Sequence, residues 1–166
     1  MTKNFQDLAP ALIDGLKKGA FLTVSNDNED NTMTIGWATI GRIWNKPVLM
    51  VAVRYSRYTY NLLNNSKEFT VSIPKKGTMS EELKFCGTKS GRDFDKFKEC
   101  NIKTKKAKTV DTVVLTDCKH HFECRVIYQQ TMEPETLENE SKERFYKDNN
   151  DYHVLFYGEI LDSYEN

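Results

Sequence analysis

With 166 residues, 39% of them hydrophobic and 29% charged, the chain can bury a substantial core but is short for two, so one domain spanning 1–166 is expected. Its 24 Lys and Arg balance 24 Asp and Glu, which excludes a net field that draws the protein to nucleic acid or to an anionic membrane. Any bound anion has to be held locally.

The opening stretch MTKNFQDLAPALIDGLKKGAF lacks the basic start, apolar run and cleavage site of a secretory signal, and no later run has membrane-spanning length. The cytoplasm is therefore the expected compartment. Cys86, Cys100, Cys118 and Cys124 lack metal-knuckle spacing, so they are expected as free thiols rather than disulfides or zinc ligands.

Residues 5–18 carry a loose helical pattern through Phe5, Leu8, Leu12 and Leu16, interrupted by Pro10 and Gly15; a short, irregular segment is expected. Ala20 to Ser25 is a strand by its branched and aromatic content, and the polar run Asn26 to Asp30 returns the chain into a strand from Thr32 to Ile43. In that returning strand Thr34, Gly36, Ala38 and Ile40 share one face, with Ile35, Trp37, Thr39 and Gly41 on the other. Gly36, Ala38 and Gly41 thin the side-chain layer, which lets a flat ring approach the backbone N–H groups. The same glycines suit a bulge or a barrel corner with Trp37 in the core, and the strand by itself favours that plainer reading.

A turn at Asn45-Lys46-Pro47 leads into a buried strand, Val48 to Val53, and then into a polar break with Arg54, Ser56, Arg57 and Thr59. Helical spacing of Tyr58 and Leu62 predicts a helix capped by Ser56 and stopped at Asn64-Asn65. A helix start presents unpaired N–H groups and partial positive charge, and two arginines there repel each other unless an anion sits among them. The surface-charge alternative has the arginines pairing with nearby carboxylates; the anion reading is favoured.

Glu68 to Ile73 alternates, with Phe69, Val71 and Ile73 inward, and closes at Pro74. Ser80 is expected to cap a short helix through Leu83 that stops at Gly87. CGTKSGRDFDKF then places Cys86, Gly87, Thr88, Ser90, Gly91, Arg92 and Lys96 in and around a loop that feeds a second short helix, Asp93 to Lys98. Ser-Gly-Arg alone is an ordinary turn. Its weight comes from being the second basic, hydroxyl-bearing bend in one small domain.

Thr109 to Leu115 and Cys118 to Tyr128 read as a strand pair. Cys118, His120 and Cys124 spread along one flat strand are too far apart to surround a tetrahedral ion, so no metal site is assigned. Glu133 to Asp151 is a solvated helix or long connection, and Tyr152 to Leu161 is the last strand. On it stands His153, an isolated strand histidine of the kind that is usually structural, whose ordinary pKa also suits donation to a reduced cofactor or recognition of a nicotinamide phosphate.

The segments NTMTIGWATIG, WNKPVLMVAVRYSRYTYNLL, EFTVSIP, CGTKSGRDFDKF and YHVLFYGEI, in this order from about Gly19 to the C-terminus, resemble the flavin reductase-like, FMN-binding split-barrel family, most of all its flavoredoxin branch. The resemblance implies a mainly β fold, an antiparallel six-stranded Greek-key barrel with short peripheral helices, and noncovalent FMN. It implies that the flavin ring lies along Thr34, Gly36, Trp37, Ala38, Thr39 and Ile40. The phosphate and ribityl chain would be met by Arg54, Ser56, Arg57 and Thr59 and by the Cys86, Gly87, Ser90, Gly91 and Lys96 region. It implies a homodimer with the flavin near its interface, His153 near the open face of the ring, and an oxidoreductase taking electrons from NAD(P)H or a redox protein. A dedicated electron carrier is the alternative. The acidic stretch Glu133 to Asp151 is longer than the turn many relatives have there.

Overall fold

Leu22, Val24, Leu49, Val51, Val53, Phe69, Val71, Phe122 and Phe156 are fully buried, and they lie on the inward faces of strands whose apolar alternation closes them around one core. The computed structural model describes residues 4–166. Its strands are β1 (Ala20–Ser25), β2 (Asp30–Ile35), β3 (Ala38–Ile43), β4 (Lys46–Arg54), β5 (Glu68–Pro74), β6 (Thr104–Lys106), β7 (Val113–Leu115), β8 (Cys118–Thr131) and β9 (His153–Glu165). Helices are α1 (Phe5–Leu16), α2 (Tyr58–Ser66), α3 (Ser80–Thr88), α4 (Lys96–Glu99) and α5 (Asn139–Tyr146). Seven strands form one antiparallel sheet in the order β2-β1-β5-β8-β9-β4-β3.

The expected strand from Thr32 to Ile43 is broken at Gly36 and Trp37. Its first half pairs with β1 and its second half with β4, at opposite ends of the sheet order. One bent segment thus supplies both edges. Counted as a unit beside β1, β4, β5, β8 and β9, it makes the six extended segments of the split barrel. The following turn is made by Trp44 and Asn45, at φ 52° and 57°, not by Asn45-Lys46-Pro47, because two left-handed residues match the twist of a tight hairpin.

Two other expectations are corrected. Segment 5–16 is a regular helix despite Pro10: Leu8 and Leu12 bury against the core while Pro10 stays exposed, where water can serve the carbonyl its missing N–H leaves open. β7 pairs with β6 in a small separate sheet, and β8 pairs with β5 and β9. A buried carboxylate holds this flap. Burial raises the pKa of Glu123, but hydrogen bonds from Lys108 N, Thr109 N, the Thr109 hydroxyl and Tyr164 Oη overcome that and keep it below the usual carboxylate range. The cysteines on β8 lie in two different apolar clusters, Cys118 in one and Cys124 in the other.

Gly158 on β9 is a close-approach position. A Cβ there would come within 2.5 Å of the Phe69 ring and 2.8 Å of Cys124 Cβ. Gly158→Ala is expected to lower stability by about 1–3 kcal/mol through overpacking, read as a lower urea midpoint with an unchanged slope.

Candidate functional site

After β4 the chain makes three residues of irregular backbone before α2. Arg57 is the N-cap of α2 in extended conformation and makes no side-chain cap bond. The expected cap, Ser56, instead donates both its N–H and its hydroxyl to the carboxylate of Asp151; that ionised partner outcompetes a local cap. The helix runs past Asn64-Asn65 to Ser66 and ends on the left-handed Lys67.

The second predicted bend is reshaped in the same way. α3 begins after Met79 rather than on a Ser80 cap, and it continues through Cys86 and Gly87 to Thr88. Its last turn therefore points carbonyls at the first bend. Arg57 donates from Nη1 to Gly87 O (2.7 Å) and from Nη2 to Cys86 O (3.3 Å). Lys96, at the start of α4 and almost wholly buried, donates from Nζ to Thr32 O (2.8 Å) and Cys86 O (3.0 Å). The repulsion expected among cations at a helix start is thus partly offset by the negative end of a neighbouring helix.

Burial dominates the charge states here. It pulls the Arg57 guanidinium below its ordinary value against the opposing pull of Asp151. It also brings the Lys96 ammonium down to about 8, with Arg57 adding to the shift. Both are cations at neutral pH, and both are poorly solvated ones.

These two bends converge. Ser56, Arg57, Thr59, Ser90, Gly91 and Lys96 line a single cleft of about 180 Å³. Arg92 ties its walls together by donating from Nη1 to Ser56 O (3.1 Å). A Cβ at Gly91 would lie 2.1 Å from Asn31 Oδ1 and 2.7 Å from the Tyr58 ring, so only glycine lets the loop close on α2. Asn31 in turn donates to the Thr59 hydroxyl (2.8 Å), and the Tyr58 hydroxyl bonds Glu29.

Tyr58, Thr88, Lys89 and Arg92 also line the cleft. Thr88 and Arg92 stood in the second motif, whereas Tyr58 was masked by its place in an apolar helical pattern and Lys89 by its being one exposed lysine among many. Four cations and no carboxylate appear among the described lining residues. Lys96 has a third N–H beyond its two carbonyl bonds, and the guanidinium of Arg57 has donors to spare. The donor set fits a phosphate.

Not every predicted residue is in this cleft. Arg54 lies apart from it, donating to Asp151 O (2.8 Å) and Phe145 O (3.1 Å) with its guanidinium 5.0 Å from the Tyr146 ring centroid. It pins the 145–151 stretch to the barrel. His153 is buried beside it, sharing a 2.6 Å hydrogen bond between Nδ1 and the Tyr146 hydroxyl. Burial, then the Arg54 charge, push His153 down to about 4. The imidazole is neutral at pH 7, so it is no imidazolium acid or phosphate-binding cation there.

Trp37 packs on His153 (4.7 Å between centroids) and on Phe145 of α5 (4.9 Å), yet it is 41% exposed and so is not core. Thr34 is committed elsewhere, donating to Leu83 O (2.6 Å). Gly36 and Trp37 form the link between the sheet edges, and Ala38, Thr39 and Ile40 sit on edge strand β3, whose outer N–H and C=O groups have no strand partner among the described residues. An open backbone edge beside a half-exposed indole can receive a flat heteroaromatic ring. Cys86 and Gly87 stand behind the cleft as carbonyl anchors.

The sequence model of the family described as "Flavin reductase like domain" matches residues 16–166. An uncharacterized protein of Archaeoglobus fulgidus is 30% identical over 141 residues, 85% of this chain and 68% of that protein. Among solved structures, a flavoredoxin from Methanosarcina acetivorans superposes with a TM-score of 0.68 at 24% identity, covering 89% of this chain and 68% of that one. An FMN-binding protein from Thermus thermophilus superposes at 0.69 with 20% identity, covering 89% and 69%. With the fold, the bent edge segment and the match across nearly all of its length in agreement, this chain belongs to the flavin reductase-like family.

Proposed function

We propose that the chain is one FMN-binding domain acting as an oxidoreductase, passing electrons from a reduced nicotinamide nucleotide or an electron carrier through noncovalent FMN to an acceptor. The observation that carries this is the convergence of Arg57 and Lys96, with Thr59, Ser90 and Gly91, on one cleft with no carboxylate among the described lining residues. FMN supplies the hydride and single-electron chemistry when bound. The chain's own residues would do the rest. Lys96 and Arg57 neutralise the phosphate, the hydroxyls of Thr59 and Ser90 fix its orientation, and Gly91 lets the loop backbone approach. The edge of β3 offers N–H groups to the ring, while Trp37 and the neutral His153 shield one side of that region from water.

Anaerobic mixing of the FMN-loaded protein with NADH or NADPH, followed at the flavin absorbance band, tests the donor. Rapid bleaching is expected. Bleaching only by a reduced redox protein would replace this reading with that of a dedicated electron carrier.

A homodimer is supported by surface chemistry: Ile43, Trp44 and Tyr128 are 40%, 54% and 43% exposed. Trp44 contacts Tyr128 at 5.6 Å, and Tyr128 contacts Tyr157 at 5.4 Å. A continuous apolar patch of this kind favours cover by a second copy. Light scattering is expected to give a dimer for the native protein and a monomer for Trp44→Glu; a native monomer at high concentration would refute the assignment. Formal neutrality and the lack, among the described residues, of a helix long and apolar enough to cross a membrane are consistent with work in the cytoplasm on small molecules or redox proteins.

A further inference from the structure

Directly behind the cleft, Cys100 packs against the apolar cluster that holds Cys86, and both are tied to Lys96: its Nζ donates to Cys86 O (3.0 Å), and Cys100 N donates to Lys96 O (3.1 Å). Cys86 is fully buried in the last turn of α3, within the apolar cluster of Phe21, Leu83, Ile102 and Leu115. Cys100 follows α4 and is only half-buried. It lines a second groove of about 500 Å³, together with Glu82, Phe85, Lys89 and Glu99. One sulfur is therefore sealed and its partner is reachable from solvent. All four cysteines of the chain carry free thiols.

The backbone of the sealed residue is part of the anion cleft's frame. Cys86 O accepts from both Arg57 and Lys96, and Gly87 O, one residue on, accepts from Arg57. A shift of this turn moves the two cations together.

We propose that Cys86 and Cys100 form a reversible thiol–disulfide couple, oxidised by low-molecular-weight disulfides that enter the second groove, and that closing the bond loosens the anion cleft. In the first step the Cys100 sulfur, having lost its proton, attacks one sulfur of the small disulfide; a mixed disulfide forms and one small thiolate leaves and takes up a proton. In the second step the Cys86 sulfur attacks the Cys100 sulfur of that mixed disulfide, and the second small thiolate leaves, taking up the proton Cys86 gave away. Two protein thiols are oxidised and one small disulfide is reduced to two thiols. Burial pushes Cys86 up to about 12 and also raises Cys100; Glu82 faces both, Glu99 faces Cys100, and Lys96 opposes them. Exchange is accordingly slow at neutral pH and quickens as the pH rises. A disulfide holds its sulfurs at about 2.05 Å, and closing one between these residues is expected to draw the end of α3 toward α4 and carry the carbonyls of Cys86 and Gly87 with it.

The coupling half of this inference rests on the FMN reading; the thiol half does not. The full chain, freed of flavin, is incubated with oxidised glutathione at mildly alkaline pH, then examined by intact mass, thiol alkylation and peptide mapping. FMN affinity is measured by fluorescence quenching before oxidation, after it, and after dithiothreitol. The expected product is lighter by two hydrogens, carries a Cys86–Cys100 crosslink, binds FMN about tenfold more weakly, and recovers on reduction. Cys100→Ser and Cys100→Ala are expected to show neither the crosslink nor the oxidant-dependent loss. A lasting glutathione adduct on Cys100, a crosslink elsewhere, or no reaction overturns the couple; a correct crosslink with unchanged FMN affinity overturns the coupling. Failure of the reduced protein to bind FMN would overturn the flavin reading and the coupling with it, while the mass shift still decides the thiol pair.

Discussion

Replacing Lys96 with methionine is expected to weaken FMN binding by about 2–5 kcal/mol, the range for removing one partner of a buried, hydrogen-bonded charge pair. The reason is the ammonium's setting. It is nearly inaccessible, held by two backbone carbonyls, and brought down to about 8 mainly by burial. A cation paid for in desolvation gains strongly from an anion that enters the same low-dielectric space. Isothermal titration of FMN into Lys96→Met and native protein measures the difference; equal affinities would remove Lys96 from the phosphate site.

The pH dependence has a definite sign. Below about 8 the flavin-free protein carries the Lys96 cation, so FMN affinity is full there and falls as the pH rises through that value. Stability without flavin runs the other way. The folded pKa is below the unfolded lysine value of about 10.4, so the unfolded chain binds more protons between the two and stability rises with pH across that window. Parallel titrations of FMN affinity and urea midpoint from neutral to alkaline pH are expected to diverge, and in Lys96→Met the divergence should vanish.

Arg57→Ala is expected to cost about 1.5–3 kcal/mol of FMN binding, the usual worth of a charge-assisted contact. It also unties α2 from the end of α3, since the guanidinium bonds both Gly87 O and Cys86 O. Arg57→Lys should recover only part of the loss, because one ammonium cannot span two carbonyls and a phosphate as a planar fork does. FMN retained unchanged on dialysis of Arg57→Ala would exclude this residue from the site. Arg54→Ala is the informative contrast. Its bonds run to Phe145 O and Asp151 O, so the main expected consequence is faster hydrogen exchange in 145–151.

Much of the architecture was legible because it depends on local periodicity. Strands β1, β4 and β5 were readable from apolar content and alternation, as was the hairpin joining β1 to the returning strand. The two basic bends were legible too, from cations and hydroxyls clustered beside helix starts. What misled was the competition between local and distant partners. Ser56 is a good cap by type, but Asp151, far along the chain, claims both of its donors. Arg54 looks like a member of the first bend and is drawn instead to carbonyls near α5.

The sequence by itself determined the strand segments, the placement of charge and hydroxyl groups at two bends, and the family, since each is written in residue types within a short window. Tertiary structure alone decided that the bends share one cleft, that Gly36 and Trp37 turn one segment into both sheet edges, and that His153 is neutral. It also packed Cys100 against the apolar cluster that holds Cys86. The physical reason is the same in each case: desolvation and hydrogen bonding act between groups that only folding brings together, and neither leaves a mark in local spacing.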